Sequence, residues 1–131
     1  MFKTLHLAIF LFLPITATAH SPLASSFPDN GAKLNVSPAE IILVFKSPAK
    51  LVRVSFSALS KKQSKNLWGG LFGDHNRVPV ELETNPLLKI DKRHTISLPL
   101  LRNGKYLFVW RAMGKDGHVI KGEITFAIDG I

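Results

Sequence analysis

The chain contains no cysteine, which excludes disulfide staples, thiolate metal sites and a thiol nucleophile. Methionine is nearly as scarce: Met1 and Met113 are the two in the chain, so a thioether-rich site for a soft metal ion has too few donors. Acidic residues are outnumbered, nine against seventeen lysines and arginines. Helical periodicity is missing too, since no stretch beyond about ten residues keeps an apolar stripe at helical spacing. The one long hydrophobic run, Leu5 to Leu13 (LHLAIFLFL), falls short of the roughly 20 residues that a membrane span requires.

That run has a different use. Lys3 precedes it as a basic n-region, and Ala17-Thr18-Ala19 follows it with the small-x-small pattern that signal peptidase reads. Residues 1–19 are therefore expected to be a cleaved signal peptide and 20–131 one exported domain, 112 residues long and large enough for a single core. Removing Lys3 with the leader leaves sixteen basic and nine acidic side chains, a formal charge of +7. Such a charge suits anionic lipid heads, wall polymers or nucleic acid, but an exported protein rarely meets nucleic acid, and none is expected as a partner. The lysines are spread along the chain, so general solubility accounts for most of them. No stable membrane insertion is expected after cleavage.

The apolar residues instead follow strand patterns: Glu40 to Phe45, Leu51 to Leu59, Val78 to Leu82, His94 to Leu98, Lys105 to Met113 and Glu123 to Ile128. Turn signals separate them, among them Pro28-Asp29-Asn30-Gly31, Ser47-Pro48, Arg102-Asn103-Gly104 and Lys115-Asp116-Gly117. Short strands at this spacing predict an all-β fold, an Ig-like Greek-key β-sandwich of about seven strands. Alternation along Lys105 to Met113 turns Trp110 inward and Arg111 outward. Ser60 to Arg77 breaks the even spacing as a long polar, glycine-rich loop that also carries Leu67, Trp68, Leu71 and Phe72. It reads either as a tip for docking a partner or membrane, or as a loop folded back over one end of the sandwich.

Chemistry must come from the histidines. His6 leaves with the leader, and His20, His75, His94 and His118 remain. His94, at a strand start, reads as a surface or packing residue. His75 follows Asp74 in the long loop, where the pair could reach a metal. Asp116 and His118 flank Gly117, and in an extended segment residues two apart project to one side, so the carboxylate and imidazole can converge. On its own Asp-Gly-His is weak evidence, and a plain turn is its commoner explanation. Cleavage after Ala19 changes the weighing, because His20 would then chelate through a free amine and its imidazole. With the His118 imidazole and an Asp116 oxygen this makes three nitrogens and one oxygen, a tetragonal set that suits Cu(II) better than tetrahedral zinc. Pro22 lacks an amide proton and no histidine stands third in the mature chain, which excludes a site built on successive deprotonated amides.

With these residues in place the chain resembles the CopC-type periplasmic copper-binding proteins over nearly its whole mature length. The resemblance lies in His20-Ser21-Pro22-Leu23, Ser26 to Leu34, Ser37-Pro38 with Ile42 to Phe45, and the closing series Leu98-Pro99, Gly104-Lys105-Tyr106, Val109-Trp110-Arg111, Asp116-Gly117-His118, Gly122 and Phe126. It implies a periplasmic, non-enzymatic Cu(II) carrier or sequestering protein in copper homeostasis or resistance, with His20, Asp116 and His118 as ligands. The expected partners are the copper ion and an inner-membrane copper transporter of the CopD type. The chain departs from the family pattern in having no methionine-rich Cu(I) loop and in the length of the Ser60 to Arg77 segment.

Two other readings compete. A histidine brace is also the active site of copper polysaccharide monooxygenases, but 112 residues leave little room for a flat polymer-binding surface, and an equatorial carboxylate would occupy the position oxygen needs. A metal-free basic envelope-binding β-domain would place the function in the loop instead.

Overall fold

A computed structural model describes residues 21–60, 77–82 and 87–130. Every regular element among them is a strand: β1 (Leu23–Phe27), β2 (Ala32–Leu34), β3 (Glu40–Leu59), β4 (Arg77–Pro79), β5 (Ile90–Ser97), β6 (Gly104–Gly114) and β7 (Val119–Ile128). The all-β expectation of about seven strands holds.

β3 organises the molecule. Its first half pairs antiparallel with β1 (Phe27↔Ile42) and β5 (Leu43↔His94), while its second half pairs with β6 (Phe56↔Phe108) and β4 (Ala58↔Val78). β7 continues beyond β6, and β2 closes that side parallel to β7. One long strand thus runs through both layers of a curled sheet. The sequence reading split β3 at Ser47-Pro48, and this is corrected: the chain stays extended there, and the turn signal marks only a shift in the β3–β5 register between Val44 and Ala49. Proline fits because β3 makes no ladder pair with β5 between those two residues.

Inward positions of the two layers meet in one core. Ile41, Leu43, Phe45 and Ile96 pack against Phe56, Phe108, Trp110, Ile124 and Phe126, all buried. Phe45 stands edge-on to Trp110 with ring centroids 5.2 Å apart, and Phe56, Tyr106 and Phe126 stack. Each such side chain withdrawn from water contributes about 1.5–3 kcal/mol, which replaces the missing disulfides. Tyr106 also donates its hydroxyl proton to the carbonyl of Arg102 at 2.7 Å, fixing the entry to β6. The Pro28 to Gly31 turn is real. Asn30 Oδ1 accepts from the Thr125 amide and hydroxyl, and Gly31, at φ 81°, donates to the Thr125 carbonyl, which lays β2 beside β7.

Candidate metal centre

The β6–β7 hairpin ends in a tight turn. Gly114 donates its amide to the His118 carbonyl (3.1 Å), and Gly117 donates back to the Gly114 carbonyl (3.1 Å). Gly117 sits at φ 81°, a left-handed conformation that residues with a Cβ adopt only at a cost. This three-residue loop with a left-handed glycine is a common hairpin solution. Its consequence is that Asp116 and His118 fold toward each other.

Asp116 Oδ2 lies 2.7 Å from His118 Nδ1, and Asp116 Oδ1 accepts the His118 backbone amide at 3.1 Å. The expected convergence is present, but its cause differs from the expected one. These residues are not in an extended segment; the turn brings them together. Both side chains are exposed, His118 at 85% and Asp116 at 67%. The hydrogen bond from His118 holds the Asp116 carboxyl below its ordinary range, and the same bond with the nearby negative charge raises the imidazole above 6.5. With Nδ1 held by the carboxylate, Nε2 is the nitrogen left to meet a metal ion. A carboxylate on the far ring nitrogen orients an imidazole ligand and strengthens it as a donor.

The remaining sequence candidates fall elsewhere. His20 and His75 lie outside the described residues. His94 is buried: its Nε2–H donates to the carbonyls of Ala49 (2.8 Å) and Asp91 (2.9 Å), and its ring stands edge-on to Phe45. It is a packing residue. Trp110 is core as expected, 1% exposed, with its Nε1 unpartnered among the described residues and its ring against Gly122. Among the described residues no third histidine, aspartate or glutamate joins Asp116 and His118.

The start of the described chain nevertheless lies at this end of the fold. The Pro22 carbonyl accepts the Lys46 amide (3.1 Å), and three residues further along β3, Ala49 pairs with Gly114 at the base of the turn. Three residues of strand span about 10 Å. The backbone that leads back to His20 therefore starts beside the hairpin that carries His118.

A model of the CopC domain matches residues 23–129 of the sequence. The chain belongs to the CopC family. Over 125 residues it is 28% identical to the copper transport protein CutJ of Bacillus subtilis (strain 168), covering 93% of this chain but 20% of that protein, so it spans about a fifth of that relative's length. Among solved structures, the copper resistance protein PcoC from Escherichia coli is 25% identical, with a TM-score of 0.59 over 82% of this chain and 98% of that one. CopC from Methylosinus trichosporium OB3b shares the fold at 21% identity and a TM-score of 0.58, covering 84% of this chain and 94% of that one. CutJ is described by copper transport and PcoC by copper resistance, in keeping with the reading of this CopC chain as a copper-handling protein rather than an enzyme.

Proposed function

We propose that this CopC chain is an exported Cu(II)-binding protein that carries or sequesters copper in the periplasm. In this reading the leader is removed after Ala19, residues 20–131 form the working domain, and His20 supplies an amine and an imidazole nitrogen. His118 supplies a third nitrogen through Nε2. Asp116 either contributes the oxygen donor directly or orients the His118 ring; both roles use the carboxylate as the hairpin presents it. Copper is cargo here, taken up and released, and an inner-membrane transporter of the CopD type is the receiver that fits such a carrier.

The observation that carries the reading is the exposed Asp116–His118 pair, 2.7 Å apart, on a turn whose base shares one short stretch of β3 with the chain leading to His20. Imidazole and carboxylate donors suit a tetragonal Cu(II) ion, while Met113 alone gives the mature chain too few thioethers for a Cu(I) site. The test is Cu(II) titration of the chain beginning at His20, beside a chain with one methionine placed before it. Loss of most affinity in the extended chain is expected, because an internal amide cannot replace a free amine without losing a proton. Equal affinity in the two chains would remove His20 from the site.

A further inference from the structure

The ladder register places side chains in rows across the outer sheet face, on the side away from the core. One row runs across β5, β3, β6 and β7: Ile90 opposite Lys50, Lys50 opposite Met113, Met113 opposite Val119. Ile90 and Val119 are 59% and 56% exposed, and Leu88, which precedes this row in the chain, is 69% exposed. The next row on the same face is Arg53 opposite Arg111 opposite Lys121, all exposed.

Like charges directly opposite on neighbouring strands repel. None of these three cations makes an ion pair among the described residues, and the nearby carboxylates of Asp91 and Asp116 are engaged by Lys89 and His118. Glu123, one row further along β7, is the acidic residue beside them. Further from the turn this face is interrupted by the buried Ser57 and Leu107.

We propose that this turn-proximal face, the row of exposed Ile90 and Val119 with half-buried Lys50 and Met113 between them and Arg53, Arg111 and Lys121 behind it, docks peripherally on an anionic phospholipid bilayer. Exposed aliphatic groups beside unpaired cations are the pairing that a lipid interface accepts, since acyl boundary and headgroups lie within one side-chain length of each other. A bilayer adapts to the rows without a matching shape. An acidic protein would answer the cations but leave the aliphatic row against a polar surface. Neutralisation by headgroups also removes the repulsion built into the Arg53–Arg111–Lys121 row. The proposed contact is adsorption through exposed side chains. The hairpin tip with Asp116 and His118 would then sit at the membrane surface.

The experiment is co-sedimentation of the metal-free chain from His20 onward with phosphatidylcholine vesicles with and without phosphatidylglycerol. Binding is expected only with phosphatidylglycerol. At about fivefold per cation near an anionic surface, Arg53→Gln/Arg111→Gln/Lys121→Gln should weaken it on the order of a hundredfold. Lys33→Gln/Arg102→Gln/Lys105→Gln, which removes the same charge at the far end of β6, should cost far less. Ile90→Ser/Val119→Ser should abolish the part of the binding that survives high salt. All of these side chains are exposed, and unfolding midpoints check that the variants fold; Arg53→Lys/Arg111→Lys, which keeps the charge, should bind like the parent. Equal loss in the two charge-matched triple variants would overturn the proposal, as would a parent chain that ignores phosphatidylglycerol vesicles. A parent that ignores the vesicles but binds polyglutamate would assign the face to an acidic polypeptide instead.

Discussion

The Asp116–His118 contact couples the titration of both residues. The imidazole is raised above 6.5 and the carboxyl lowered below 3.8, each chiefly by the shared hydrogen bond. The pair is therefore fully formed between the lowered carboxyl value and the raised imidazole value. As pH rises through the imidazole value the proton leaves and the attraction is lost; as pH falls through the carboxyl value the negative charge is lost. An NMR titration of the metal-free chain should place the His118 midpoint above 6.5, and Asp116→Asn should bring it down toward that figure. An unchanged midpoint in the variant would mean that the contact is not made in solution. A second residue-scale effect concerns Gly122, where an added Cβ would stand 2.5 Å from Trp110 Cζ2 and 2.8 Å from Cε2. Trp110 is buried and cannot retreat freely, so Gly122→Ala should lower stability by about 1–3 kcal/mol, measured as a shift of the denaturant midpoint.

At the level of elements, the hairpin turn decides whether donors converge. Gly117 has open space where a Cβ would go but a φ of 81°, so the cost of substitution there is conformational and not steric. Gly117→Val should destabilise the turn by about 1–2 kcal/mol and weaken Cu(II) binding, whereas Gly117→Asn should do little, since asparagine visits this region more readily. Equal copper affinity in the valine variant would show that the turn does not position the ligands. Much of this element was legible in the sequence, because alternation from Lys105 to Met113 and the Asp-Gly pair after it are local signals. β1 and β2 were not, since LASSF and AKL have little apolar pattern and are strands only because β3 and β7 offer edges to pair with. The continuity of β3 was also hidden, as Ser-Pro is a turn signal unless two layers hold it extended. The rows of Ile90, Met113 and Val119 and of Arg53, Arg111 and Lys121 join residues far apart in the chain, and register alone reveals them.

Across the whole molecule the candidate site and the core are separate, and two histidines measure the separation. His94 belongs to the core: it links the carbonyls of Ala49 on β3 and Asp91 on β5 through one nitrogen, and it leans on Phe45, which leans on Trp110. Replacing it with alanine opens a cavity and removes its hydrogen bonds to two carbonyls, a loss of about 2–4 kcal/mol. Ala49 keeps its ladder partner Gly114 all the same, so the hairpin base should persist wherever the chain stays folded. His118 has the opposite character. Its side chain is 85% exposed and, among the described residues, bonds to Asp116 of the same turn, so His118→Ala removes a donor without disturbing packing. The expected result is a crossed one: His94→Ala melts earlier but binds Cu(II) with parental affinity below its transition, and His118→Ala melts like the parent but binds copper weakly. Thermal unfolding and Cu(II) titration of the same two preparations test it. If His94→Ala lost copper while still folded, or His118→Ala lost as much stability as His94→Ala, core and site would be one cooperative unit, and the placement of the ligands on an independent turn would be wrong.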